Sequence, residues 1–100
     1  MGIKIKPFDV AEYLETEEDI REFLAEALAT GSTSDFIHAL NTAARAKGMT
    51  EVAKQVGVTR ASLYKSLSPD GNPRFETISK VVEALGGQLT VVGVTQLPVE

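Results

Sequence analysis

Apolar positions along the chain fall into short periodic runs separated by small or turn-forming residues. Ile3, Lys4, Ile5 and Lys6 alternate with period two and stop at Pro7, which predicts a very short strand or extended arm that needs a partner. Phe8 precedes Asp9, and Glu12 stands three residues on. This resembles a capping box, with Phe8 and Tyr13 at the flanking staple positions, and predicts one to two helical turns ending at Leu14. Thr16 followed by Glu17, Glu18 and Asp19 marks a second helix start, the carboxylates lying near the positive end of the helix dipole. Ile20, Phe23, Leu24, Ala27 and Leu28 then recur at i, i+3, i+4, i+7 and i+8, the stripe of an amphipathic helix, and Gly31 stops it. A third helix restarts at residues 32–35 and carries Phe36, Ile37, Leu40, Ala43, Ala44 and Lys47 to a stop at Gly48.

Three shorter helices are predicted over residues 50–56, 60–67 and 75–85. Gly57 and Val58 join the first two, and a polar loop, residues 68–73, joins the last two. Gly86 and Gly87 end the last helix. Residues 89–94 are rich in β-branched side chains and predict a strand, which pairs either with residues 3–6 or with its own copy in a second subunit.

One hundred residues with 43% hydrophobic and 24% charged content is expected to be one domain spanning residues 1–100. It divides into acidic N-terminal helices (8–48), a central helical region (49–86), and a C-terminal strand and tail (87–100). There is no cysteine and a single His38, so disulfides, thiolate metal sites and a histidine cluster are excluded. No apolar run follows Lys4 and Lys6, and no stretch approaches the roughly 18 apolar residues of a membrane span, so a cytoplasmic protein without a membrane partner is expected. His38 lies just off an apolar stripe and reads as a surface or core-edge residue. An enzyme is not expected: there is no glycine-rich phosphate loop, no carboxylate pair outside exposed helix faces, and no base near Ser62. No metal or cofactor is expected either.

The net charge of −4 and pI of about 5.0 conceal a division. Residues 1–44 hold nine acids against Lys4, Lys6 and Arg21; residues 45–85 hold seven bases against four acids. The front half repels DNA and suits a basic partner, while the back half suits an anionic one.

The basic half contains the spacing of a helix-turn-helix. That unit needs a small residue in its first helix, a turn residue tolerant of positive φ, and apolar residues clamping the crossing. Ala53, Gly57 and Leu63 supply these, with Val52, Val56 and Val58 adding apolar contacts. Thr59 caps the second helix and places Arg60, Ala61, Tyr64 and Lys65 outward while Leu63 and Leu67 face in. Thr59, Arg60, Ala61, Tyr64 and Lys65 are the candidates for base contacts: an arginine matches guanine bidentately and an alanine meets a thymine methyl. Ser62 points between the faces. Lys54, Ser68, Asn72 and Arg74 are the phosphate candidates, although the loop that carries the last three also serves as a plain connector.

Residues 49–60 (Met-Thr-Glu-Val-Ala-Lys-Gln-Val-Gly-Val-Thr-Arg), 62–67 (Ser-Leu-Tyr-Lys-Ser-Leu) and 70–73 (Asp-Gly-Asn-Pro) resemble the Xre-type addiction module antidote proteins, HigA-like antitoxins of bacterial type II toxin-antitoxin pairs. Residues 8–14 and the acidic helix after them, residues 43–48 and residues 75–86 extend the resemblance over nearly everything before the last dozen residues. Two positions depart from the broader Xre pattern: Ser66 replaces the apolar residue that usually closes the second helix, and the helix from Thr50 lacks a common phosphate-contacting glutamine. The resemblance implies a mainly α, five-helix, lambda-repressor-like helix-turn-helix domain. It implies dimerisation, binding to an operator in the protein's own promoter, and neutralisation of a small, usually basic toxin of the RelE/ParE superfamily. Glu17, Glu18 and Glu22 are then the toxin-facing candidates, and Leu89, Val91, Val92 and Val94 the dimer strand. A stand-alone repressor without a toxin is the alternative.

Overall fold

Local capping sets where the helices begin. In a computed structural model that describes residues 8–93, the chain runs through a 3-10 turn (Val10–Tyr13) and five helices: α1 (Glu17–Thr30), α2 (Thr33–Lys47), α3 (Met49–Val56), α4 (Arg60–Ser66) and α5 (Phe75–Ala84). Thr16 accepts from the Asp19 N–H (3.0 Å) and the Asp19 carboxylate accepts from the Thr16 N–H (3.1 Å), so both ends of a capping box close around α1. Ser32 and Asp35 do the same for α2, at 3.2 and 3.0 Å. The first turn differs from the sequence expectation. The Asp9 side chain accepts from the N–H of Ala11, two residues on rather than three, and the Glu12 N–H donates to the Asp9 carbonyl (3.1 Å), which closes a 3-10 turn instead of an α-helix. Phe8 and Tyr13 do meet across it, with ring centroids 5.1 Å apart.

α2 is the central element, touching the 3-10 turn, α1, α3 and α5. Its buried positions include Ala39, Ala43 and Ala44, whose small side chains let neighbouring backbones approach, with Phe36 and Leu40 as the large fillers. Ile20 and Leu24 from α1, Val52, Ala53 and Val56 from α3, Leu63 and Leu67 from α4 and its end, and Val81, Val82 and Leu85 from α5 complete one apolar cluster. Gly57 adopts φ +90° between α3 and α4, the left-handed conformation anticipated for that turn. Two stripe residues do not follow expectation. Leu28 stays 55% exposed, and Val58 is also exposed, contributing a backbone N–H to the Ala53 carbonyl (3.0 Å) more than its side chain.

After α5, residues 87–93 have no regular secondary structure, although Leu89 packs on the core, so the described part of the strand expected over 89–94 is not shown; Val94 and residues 3–6 lie outside the described residues. A strand needs an edge to pair with, and among the described residues there is no other strand. No helix among them is long and apolar enough to cross a membrane.

The front and back of the chain are joined by ions. Arg45 donates through Nη1 and Nη2 to the two oxygens of Asp9 (2.9 and 3.3 Å) and through Nε to Asn41 Oδ1 (3.3 Å). Its guanidinium, helped by the Ala11 N–H, holds the Asp9 carboxyl below its ordinary 3.8, and the N–H groups of Glu15 and Thr16 lower Asp19 likewise. A carboxylate with a depressed folded-state pKa stabilises the fold fully above its unfolded value, and that contribution is lost as pH falls through the folded value. The Asp9→Asn/Asp19→Asn double variant is therefore expected to melt below the wild type at pH 7, the gap closing as pH drops below 3.8. Thermal melts followed by circular dichroism between pH 7 and pH 2 check this, and a gap that is constant down to the acid end would contradict it.

Candidate nucleic-acid interface

Thr59 begins α4 by accepting the Ser62 N–H on its hydroxyl oxygen (3.0 Å), which sets the rotation of the whole helix. With that rotation Leu63 is 1% exposed and Leu67 is buried beside it, while Arg60, Ala61, Ser62, Tyr64 and Lys65 all stand in solvent. The candidates for base contacts therefore share one outward face. Thr59 stands at its edge, with its oxygen engaged in the cap and its hydroxyl proton still available. Ser66 is half-buried and Leu67 closes the end of α4, donating its N–H to the Leu63 carbonyl (3.1 Å). The departure from the apolar pattern at Ser66 is thus accommodated one residue later.

The loop from α4 to α5 folds back on the end of α4. Ser68 Oγ donates to the Lys65 carbonyl (2.7 Å), so its proton is committed, and the Gly71 N–H donates to the Ser68 carbonyl (2.9 Å). A Cβ at Gly71 would lie 2.2 Å from the Ser66 carbonyl oxygen and 2.5 Å from that of Lys65, so only glycine permits this approach. The tight turn holds Asn72 and Arg74 exposed at the start of α5. Lys54 is exposed on α3.

Ion pairing separates the cations sharply. Arg45 is held by Asp9, Lys47 Nζ by Glu17 Oε2 (3.2 Å), Lys80 by Glu76 (3.6 Å) and Arg21 by Glu17 (3.9 Å). Among the described residues the cations without such a pair are Lys54, Arg60, Lys65 and Arg74, all on α3, α4 or the loop to α5. By sequence alone Arg45 and Lys47 belong to the basic half; in the fold both are neutralised by acids of the front half, 36 and 30 residues away. No local signal marks such partners.

The same pairing divides the three acids singled out in α1. Glu17 sits between Lys47 and Arg21 with its carboxylate against Gly86, tying α1 to the ends of α2 and α5. Glu18 and Glu22 are exposed and unpaired among the described residues. His38 lines a cavity of about 290 Å³ with Asp35 and Ser68, between α2 and the α4–α5 loop. The Asp35 carboxylate there is engaged with the Ser32 N–H. Among the described residues no three His, Asp or Glu side chains converge as a metal site would require.

Residues 4–93 match the family model described as "Probable addiction module antidote protein". The chain is also similar to an uncharacterized protein of Haemophilus influenzae, 43% identical over 91 residues that cover 91% of this chain and 94% of that protein. No solved structure matches.

Proposed function

The chain belongs to the family of probable addiction module antidote proteins, and from that premise we propose that it is the HigA-like, Xre-type antidote of a type II toxin-antitoxin pair. In this reading α3 and α4 form the helix-turn-helix of a lambda-repressor-like domain. The protein acts in the cytoplasm by binding, not catalysis. It represses its own operon as a dimer and neutralises a small basic toxin of the RelE/ParE superfamily by direct contact. One observation supports the DNA-binding half most strongly: the cations left unpaired among the described residues sit together on α3, α4 and the following loop, around an exposed α4 face.

Each role follows from chemistry and exposure. Arg60, at the start of α4, has the fork geometry for guanine; Ala61 suits a thymine methyl; Tyr64 and Lys65 reach neighbouring bases or phosphates, with the Thr59 hydroxyl beside them. Lys54, Asn72 and Arg74 hold flanking phosphates, Ser68 contributing through the loop it braces. A two-fold dimer places two such helices about one DNA turn, roughly 34 Å, apart. In the dimer of this reading Leu89, Val91, Val92 and Val94 supply the pairing strand; Val91 and Val92 are exposed in the single chain and open to a partner. On the toxin side, Glu18 and Glu22 are the acids free to attract a basic surface.

Co-expression with the product of the small open reading frame beside its gene tests the reading. The expected result is that the neighbour alone arrests growth, and that this chain restores growth and co-purifies with it. A harmless neighbour that does not co-purify would leave a stand-alone repressor.

A further inference from the structure

Two cavities, of about 180 and 320 Å³, lie side by side and share Leu28, Phe36 and Leu89 as lining. Together they form one apolar groove bounded by α1, the start of α2, α5 and residues 87–89, open enough to leave Leu28 55% and Phe75 70% exposed. Large apolar side chains gathered at one exposed place mark a contact surface more often than chance solvent exposure does. Two exposed acids without an ion pair among the described residues stand on the helix that forms one wall of the groove. Glu18, Glu22 and Ala25 follow one another at i, i+4 and i+7 along α1, so the two acids continue the line on which Ala25 enters the groove wall. The α5 residues in the groove wall, Phe75, Ile78 and Val82 at i, i+3 and i+7, carry no charge. Arg21, the cation in the groove wall, lies 3.9 Å from Glu17, a carboxylate that Lys47 approaches more closely (3.2 Å), and donates to the Gly86 carbonyl (3.5 Å).

We infer that this groove is where the toxin docks. It receives the apolar row of an amphipathic segment whose Lys or Arg side chains fall on Glu18 and Glu22. The inference rests on the antidote reading and adds the surface and the chemistry of the partner's segment. Charge selects the occupant. A second copy of this chain would bring the same acidic line, and none of the cations left unpaired among its described residues, Lys54, Arg60, Lys65 and Arg74, lines the groove; a basic partner satisfies the line along its length. Apolar anchors in the groove carry affinity, and the acids set orientation and association rate.

The test uses the full chain and the purified protein encoded beside it, titrated by calorimetry, with two double variants. Both sets of residues are exposed, and thermal melts verify folding. Leu28→Asp/Phe75→Asp is expected to weaken binding of that protein by at least about 30-fold. Glu18→Lys/Glu22→Lys is expected to weaken it by about 10-fold and to reduce its salt dependence. Solution mass by light scattering is expected to be unchanged in both. Wild-type affinity in both variants overturns the groove as the docking site. A fall in solution mass in the Leu28/Phe75 variant assigns the groove to a second copy and also overturns it. If the wild-type chain itself does not bind the neighbour, the antidote reading falls and the occupant with it, an outcome distinct from variants that bind as tightly as wild type.

Discussion

Replacing Leu63 with alanine is expected to lower the free energy of unfolding by about 2 to 5 kcal/mol, the range for a buried leucine whose cavity cannot collapse. Leu63 is 1% exposed and shares the apolar cluster with Val52, Ala53 and Val56 of α3, so its side chain is what α4 buries against α3. A domain of this size is stable by only about 5 to 15 kcal/mol. The loss therefore removes a large fraction of the total and is read directly from urea unfolding. Tyr64, one residue on and 54% exposed, is the internal control: Tyr64→Ala is expected to cost no more than about 0.5 kcal/mol. Equal losses at the two positions would mean that α4 is rotated differently, and the face assigned to DNA would be wrong with it.

The second large effect concerns that face. Neutralising Lys54, Arg60, Lys65 and Arg74 together with glutamine removes the cations that are unpaired among the described residues. Each phosphate neutralised by a bound cation releases counterions and adds about 0.9 to the slope of log affinity against log salt concentration. The quadruple variant is expected to flatten that slope by about 0.9 for every phosphate it no longer neutralises. Affinity for duplex DNA near 0.15 M salt should fall by on the order of 100-fold or more. Lys47→Gln/Lys80→Gln removes cations held by Glu17 and Glu76 and is expected to leave the slope close to wild type. Filter binding or fluorescence anisotropy over a salt series measures both. An unchanged slope in the quadruple variant would remove this surface from any nucleic-acid role.

Much of the fold is legible in the order of residues. Thr16, Ser32 and Thr59 cap helices where the sequence places helix starts, because a cap is a contact between residues two or three apart. Gly57 takes the positive φ its position demands, and Leu63 and Leu67 turn inward while Arg60, Ala61, Tyr64 and Lys65 turn outward, because helical periodicity is a local property. Asp9 shows where local reading is least sharp. An Asp9 side chain bound to the Ala11 N–H and one bound to the Glu12 N–H use the same residue types and differ by one residue in which N–H is bound.

Other features depend on which helix faces which. Asp9 meets Arg45 and Glu17 meets Lys47 across 36 and 30 residues, and these pairs change the charge available at both ends of the molecule. Leu28 belongs to the apolar stripe of α1, yet it stays exposed with Phe75 beside the groove. Gly71 looks like an ordinary loop glycine until the carbonyls of Lys65 and Ser66 are found within reach of a Cβ. The boundaries, caps and inward faces of the helices thus follow from interactions spanning a turn or so of chain. Which charges stay free, which apolar side chains stay uncovered, and how closely the loop approaches α4 are set by packing between distant segments, whose pairing no short window of residues encodes.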